Sequence, residues 1–369
     1  MGLTTTLTAF AVAAGLLAGA VWIFAVKRFG AARAAVGAAA VAALFGVVIP
    51  LALPLRLDTF GWIHVGYLFI VVTTPCLGLA AIVGSPRVSS GGRRFVVAGG
   101  VLLMLPAAVG YYATHVEPKR LRVDRFDVRL AAAKSGRAPV RVGVLADIQS
   151  TRLSAHERRS VARLVAEQPD LILFAGDLFE GTDQQFESSF GEFRALVSTL
   201  RAPFGVYVVR GDTDAGDRVD RLVKGLPVTV LDDKVIEVRA RDRVIRLGGN
   251  RLDYDAPAAL AMRSELSIDS EAVNILLSHR PDVARLLEDN SDLDLVVAGH
   301  THGGQFVIPG FGPPFTLSLV SRNVARGGLH EIKGNRIYVS TGVGMEREQA
   351  PQFRFFARPS IGILTLRDG

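Results

Sequence analysis

The chain has 369 residues, of which 49% are hydrophobic, with a net charge of +7 and a sequence pI of about 9.8. That length admits more than one domain, and a mean hydropathy of +0.32 is high for a soluble enzyme. A single cysteine, Cys76, lies inside an apolar run, which excludes a disulfide framework and a Cys-based metal site. Arginine is scattered rather than gathered into a stripe, so no nucleic-acid partner is expected.

The apolar excess is confined to residues 1–116. Four stretches stand out there: Thr5–Val26, Ala35–Leu55, Trp62–Val83 and Phe95–Tyr112. Each approaches the ~20 residues needed to cross a bilayer core as a helix, and none contains Asp, Glu, Lys or Arg. Met1–Thr4 carries no positive charge and three further spans follow, so the first stretch reads as an anchor rather than a signal peptide. Loop one holds Lys27, Arg28 and Arg33, and loop three holds Arg87, Arg93 and Arg94, whereas loop two has Arg56 offset by Asp58. Cytoplasmic loops carry the Lys/Arg excess, which puts loops one and three inside and both termini outside. Lys119, Arg120, Arg122 and Arg125 after the last span oppose that orientation, although long domains translocate despite such charge. The only ionisable side chain in a span is His64, near an end, so the helices read as an anchor and not as a transport path.

Residues 117–369 have the mixed composition of a globular domain. Val142–Ala146 has the continuous apolar character of a buried parallel strand. Ser154 and Glu157 make a capping-box pattern for a helix with Val161, Leu164 and Val165 on its apolar face. Strands are expected at Leu171–Ala175, Gly205–Val209, Ile275–Ser278, Leu295–Ala298, Ile337–Ser340 and Ile361–Leu366, with a helix over Gln184–Leu200. Lys234–Leu247 reads as a hairpin turning near Ala240–Asp242. The mixture is α/β with antiparallel content late in the chain.

The polar residues that carry chemistry follow these strands. Asp147-Ile-Gln149 ends the first and Gly176-Asp177 the second. Gly211-Asp212-Thr213-Asp214, His279 and Gly299-His300-Thr-His302-Gly-Gly end the later ones. Ligands in open α/β sheets bind beyond the carboxyl ends of strands. A convergent set of carboxylates and imidazoles there suits a pair of divalent cations ~3.5–4 Å apart, sharing a carboxylate and activating water. Taken singly, a Gly-Asp after a strand is usually a turn or a helix cap, and the ordered set outweighs that reading.

That ordered set resembles the calcineurin-like metallophosphoesterase superfamily, particularly its membrane-associated bacterial branch. The family pattern runs Asp-x-His, Gly-Asp, Gly-Asn-His-Asp, a lone His and Gly-His-x-His. The match covers residues 140–369, with Gly-His-Thr-His-Gly-Gly-Gln at 299–305 and Tyr-Val-Ser-Thr-Gly-Val-Gly at 338–344 as its specific stretches. Behind the N-terminal four-helix transmembrane segment read from the apolar stretches, residues 1–116, the resemblance implies over 117–369 an α/β four-layer αββα sandwich of two mixed β-sheets. It also implies that one metal takes Asp147, Gln149, Asp177 and His302, and the other takes Asp177, Asp212, His279 and His300. The catalytic set so implied is Asp177, Asp212, Thr213 and Asp214. Gln149 stands where the family has His, and Asp212 where it has Asn. Both supply oxygen, which favours Mn²⁺ or Mg²⁺ over the softer alternatives Fe and Zn²⁺. Thr213 replaces the His that stabilises the transition state or protonates the leaving group, a contribution of roughly 10²–10⁴-fold. Arg152, His156 and His330 are candidates to substitute for it, and Arg210, Arg322 and Arg347 are candidate phosphate clamps.

The expected activity is hydrolysis of a phosphate mono- or diester at the outer face of the cytoplasmic membrane. A phospholipid, a lipid pyrophosphate or an envelope phosphodiester would be the substrate. The loop Phe306–Phe315, with Phe306, Phe311 and Phe315, has the aromatic content of a membrane-interface segment. The alternative is a metal-binding or regulatory module weakened by Thr213.

Overall fold

A computed structural model describes residues 3–134 and 136–369. They form two compact units. One is the chain up to Val116 together with Glu346–Phe353; the other is Glu117–Met345 with Arg354–Gly369.

Four helices are long and apolar enough to cross a membrane: α1 (Leu3–Phe29), α2 (Ala31–Ala52) and α3 (Thr59–Arg87) in the first unit, and α4 (Ser90–Lys119), which belongs to it up to Val116. α1, α3 and α4 run beyond the apolar stretches seen in the sequence, because helical hydrogen bonding continues into the polar flanks, whereas α2 starts before Ala35 but ends at Ala52, short of Leu55. Small residues let the helices approach. Gly78 of α3 lies against Gly100 of α4 so closely that a Cβ on either would collide with the other's carbonyl. His64 is buried near the start of α3, with Nδ1 3.0 Å from the Gln349 carbonyl oxygen. The Gln349 side chain accepts from Asp58 N at 3.2 Å and donates to the Arg56 carbonyl at 3.2 Å. The Tyr67 ring stacks on Phe353 with centroids 4.5 Å apart. Glu346–Phe353 thus packs with the helices, where composition alone assigns it to the globular region.

The second unit carries two six-stranded mixed sheets. The first has the order β1 (Arg122–Leu130), β12 (Ser360–Asp368), β2 (Val140–Leu145), β3 (Leu171–Phe174), β4 (Val206–Val208), β5 (Val228–Val230). The second runs β10 (Gly328–Ile332), β11 (Asn335–Val339), β9 (Leu295–Ala298), β8 (Val273–Leu277), β7 (Arg243–Gly249), β6 (Lys234–Ala240). Strands β2, β3, β4 and β5 pair in parallel, as do β7, β8, β9 and β11, whereas β12 is antiparallel to β2. The expected hairpin is β6–β7.

Because side chains alternate across a strand, each buried run feeds two cores. Val142, Val144, Leu171, Leu173, Ile275, Leu277, Leu295 and Val297 fill the space between the sheets. Leu145, Ile172 and Phe174 face the opposite way, onto α5 (Ala155–Ala166) and α6 (Asp183–Ser198) through Val161, Leu164, Phe186 and Phe193. On the far side Leu276 and Val296 pack with Met262 and Leu266 of α8 (Pro257–Leu266). Between these elements lie α7 (Arg218–Val223) and, before β10, α9 (Arg322–Ala325). Helices cover both sheets, giving the αββα layering. The capping box at Ser154 and Glu157 forms as the sequence predicts.

β1 and β10 carry charged residues on their exposed faces and have no counterpart in the sequence reading. β1 pairs in parallel with β12, register Arg122↔Ser360 to Leu130↔Asp368.

Candidate metal centre

The carboxyl ends of β2, β3 and β4 from one sheet meet those of β8 and β9 from the other, and each delivers a polar side chain within a few residues of its last strand position. Asp147 and Asp177 are buried, as is His279, while His300 and Asp212 lie towards solvent. Among the described residues, two triads have ligand atoms all within 4.8 Å of one another: Asp147, Asp177 and His279, and Asp212, His279 and His300. His279 is common to both, where the resemblance makes Asp177 the shared group.

The backbone around these residues is unusual. Asp147, Gln149, Asp177, His300 and His302 all have positive φ, between 39° and 72°. Side chains other than glycine rarely adopt this left-handed region, and such residues cluster at functional sites. The turns are held by main-chain bonds from Asp147 N to Gly176 O (2.9 Å) and Gln149 N to Asp177 O (2.9 Å). Asp214 joins the two Gly-Asp turns. Its buried carboxylate accepts from Asp177 N at 2.8 Å, Leu178 N at 2.9 Å and Gly211 N at 2.9 Å. It therefore positions the site through the main chain. Thr213 turns the same way, donating to Asp177 Oδ1 from its N (2.8 Å) and Oγ1 (3.1 Å). Gly211 fits because a Cβ there would strike the Asp177 carboxylate. The segment at 338–344 supplies the opposing wall, with Val343 N on Ala146 O at 3.1 Å and Gly342 against Asp147 Cβ.

The electrostatics call for positive charge at the centre. Burial pushes the Asp147 carboxyl up to about 7 against the opposing pull of His279. Burial and the neighbouring Asp177 raise Asp214 to about 6. For Asp212, burial is outweighed by the close approach of His279, His300 and Arg280, which hold it far below the ordinary carboxylate range. Asp177 is lowered because His279 overcomes burial, and the same carboxylates keep His279 well above its usual value despite its burial. His302 is held well below the usual range by burial and by the Arg354 guanidinium.

The donor set fits divalent cations. Asp147 Oδ1 accepts from His300 N at 2.9 Å, but its fully buried Oδ2 has no hydrogen-bond partner among the described residues. Such an atom is costly to bury unless a ligand completes it. His279 Nε2 lies 3.3 Å from Asp177 Oδ2 and 3.3 Å from Asp212 Oδ2, within ion-pair reach of both and aligned as a hydrogen bond with neither. Its Nδ1 sits 2.7 Å from the Ala175 carbonyl, the outer contact that leaves Nε2 free to ligate. Gln149 Oε1 and His302 Nε2 meet each other beside the first triad.

Other candidates lie elsewhere. Arg210 donates to Asp220 and Asp232 at 2.9 and 3.0 Å, locked in a surface network. Arg322 lies over the Phe311 ring, 4.2 Å from its centroid. His156 is buried against the Val343 carbonyl at 3.2 Å, and His330 sits 3.0 Å from the Gly327 carbonyl on β10. Arg152 is exposed, and Arg347 belongs to the segment that packs with the membrane-length helices. Two residues are absent from the sequence reading. Arg280 grips both Asp212 oxygens, with Nε 3.1 Å from Oδ2 and Nη2 against Oδ1, so the carboxylate standing where the resemblance has Asn has its own counter-charge. Arg354 is fully buried, donating to the carbonyls of Thr341 (2.8 Å), Ala357 (2.8 Å) and His302 (3.2 Å) and reaching His302 Nδ1 at 3.4 Å. Position 280 directly follows His279, the only sequence cue to either.

Residues 140–304 match the family model of the calcineurin-like phosphoesterases. The chain is 27% identical over 283 residues to the uncharacterized metallophosphoesterase YkuE of Bacillus subtilis, covering 71% of this chain and 92% of YkuE. It is 28% identical over 284 residues to the phosphodiesterase YaeI of Escherichia coli, covering 74% and 98%. With the UDP-2,3-diacylglucosamine pyrophosphatase LpxG of Chlamydia muridarum it shares 22% identity over 325 residues, covering 71% and 94%.

Replacing Asp214 tests its structural role. Asp214→Ala leaves three buried N–H groups unpaired and is expected to destabilise the second unit by about 3 kcal/mol, with Asp214→Asn costing less because an amide oxygen still accepts. Denaturant unfolding of the two variants checks the order; equal stability of Ala and wild type would remove the clamp.

Proposed function

Because this chain belongs to the calcineurin-like phosphoesterases, and is on that ground a hydrolase, we propose that it is a membrane-anchored two-metal phosphoesterase cleaving a phosphate mono- or diester. The observation that carries this reading is the pair of Asp/His triads sharing His279, with an unsatisfied buried oxygen on Asp147.

In this reading Asp147, Asp177, Asp212, His279 and His300, with Gln149 and His302 beside them, hold two divalent cations, Mn²⁺ before Fe, Zn²⁺ or Mg²⁺. Bound cations would supply water of lowered pKa and neutralise phosphate charge. The chain's own residues set the geometry. Asp147 and His279 are fixed by the His300 N–H and the Ala175 carbonyl. Thr213 and Asp214 hold the Asp177 turn. Arg280, beside Asp212 and towards solvent, stands where an anionic substrate would enter. A threonine hydroxyl at 213 does not donate a proton to a leaving group at neutral pH, which favours substrates with good leaving groups, pyrophosphate linkages among them. Lipid phosphates and envelope phosphodiesters fit the four apolar helices. The name of LpxG, a pyrophosphatase of a diacylated sugar nucleotide, supports the same class. The loop charges support a catalytic domain outside the cytoplasmic membrane.

Three experiments test this. Full-length protein in detergent with Mn²⁺ is expected to hydrolyse bis-p-nitrophenyl phosphate, and Asp177→Asn to lower the rate at least about 100-fold, a first ligand mattering more than the outer contacts worth 10–100-fold; equal rates would sink the hydrolase reading. Thr213→His is expected to raise hydrolysis of alkyl esters by about 10²-fold while changing aryl esters little. An unchanged ratio of alkyl to aryl rates would show that no acid is missing. An alkaline-phosphatase fusion at the C-terminus should be active in cells, and an inactive fusion with an active cytoplasmic reporter would reverse the orientation.

A further inference from the structure

The segment that follows the last histidine motif is inside out. From Phe315 to Val320 the residues alternate, but the apolar side chains Phe315, Leu317 and Leu319 are 62%, 61% and 70% exposed while Thr316 and Ser318 are half-buried. An ordinary surface segment shows the reverse pattern. Upstream, Ile308 N bonds the Gly312 carbonyl at 3.1 Å, closing a tight turn that leaves Ile308 and Phe311 exposed as well. Large exposed apolar patches mark interaction surfaces.

This ribbon is fastened to the metal centre. Asp282, three residues beyond His279, accepts from Ser318 Oγ at 2.7 Å and from Leu319 N at 2.6 Å. The Leu317 carbonyl lies 3.2 Å from His300 Nε2, and Leu317 itself has φ +50°. A leucine held in the left-handed region with its side chain in solvent is strain without packing to repay it. Arg322, exposed, covers one face of Phe311 at 4.2 Å, so the apolar surface carries a cation at its edge. An apolar surface edged by an exposed guanidinium and tied to a phosphoesterase centre is complementary to an anionic amphiphile.

We propose that Phe311, Phe315, Leu317 and Leu319 seat the hydrocarbon chain of an amphiphilic phosphate ester whose headgroup is cleaved beside His300. The assignment rests on the phosphoesterase reading and narrows its substrate class: chain-bearing esters are turned over because their tails lie on this ribbon. Phe306, which the sequence groups with Phe311 and Phe315, is not part of the seat; its ring stacks on Phe355 with centroids 5.9 Å apart.

The test uses the full chain in lipid nanodiscs. The double variant Phe311→Ser/Phe315→Ser alters two exposed side chains of the seat and leaves Leu317, whose carbonyl meets His300, untouched. It should keep kcat/KM for bis-p-nitrophenyl phosphate within about twofold of wild type and lose at least about tenfold on a long-chain phosphatidyl ester. That tenfold loss corresponds to the removal of one or two chain contacts. Loss on neither substrate, or equal loss on both, would overturn the proposal. A second readout does not depend on turnover. Emission from the Trp introduced by Phe315→Trp should be quenched by phosphatidylglycerol with brominated acyl chains, in the Asp177→Asn background as well. Emission that stays unquenched, whether red-shifted in water or blue-shifted under a protein partner or second copy, would overturn it. If wild type fails to cleave the soluble ester while the tryptophan is quenched, the hydrolase reading falls and the lipid seat stands.

Discussion

Asp147, Asp177 and His300 reach the two triads because the chain turns left-handed as it leaves its buried strands. At Asp147, Asp177 and His300 the turn comes within three residues of the strand, and Gln149 and His302 repeat it two residues later. Each such residue costs of order 1–3 kcal/mol and persists only where surrounding bonds over-determine it. Here those bonds are identifiable. Asp214 ties the β3 and β4 ends together through three main-chain donors. Arg354 collects the carbonyls of the opposing wall from Thr341 to Ala357. Both are buried and bond mainly to backbone, so the site's geometry is set by groups behind the ligand-bearing side chains.

Charge follows the same division. The inner end of the site sets Asp147 and Asp177 around His279, whose imidazole the carboxylates push well above its usual value despite burial. At the outer end Asp212 has its own guanidinium in Arg280. An extra carboxylate at position 212 would otherwise leave this end more negative than the family pattern; with Arg280 attached the excess is neutralised locally. Arg280 also stays exposed enough to meet an incoming anion. Arginine suits the task because its planar fork spans both oxygens of one carboxylate.

Much of this was legible in the residues. The four apolar stretches, the two-sided hydrophobic strands and the order of the Asp and His motifs are local features, and the fold places them at the expected strand ends. What escaped was non-local or disguised. β1 carries Arg122, Asp124, Arg125, Asp127 and Arg129 in nine residues, so beside Lys119 and Arg120 it reads as a charged linker until β12 is there to pair with it. Glu346–Phe353 packs with helices 285 residues away in sequence, through His64 and Gln349. Among so many arginines nothing marks which one faces inward. Arg210, next to Gly211-Asp212, looked like a phosphate clamp but is held by Asp220 and Asp232, while Arg280 and Arg354 do the work near the site.

The position of β12 bears on how the protein is made. Ser360–Asp368 lies between β1 and β2, parallel to one and antiparallel to the other, and contributes Ile361, Ile363, Leu364 and Leu366 to the cores on its two faces. Until Asp368 has left the ribosome, the first sheet is split, with both flanking strands showing raw edges of the kind that pair with neighbours. Native pairing of this sort joins residues more than two hundred apart and is slow to form. The four apolar helices are therefore synthesised long before the domain behind them can close. During that interval the two strand edges that β12 will cover stay open.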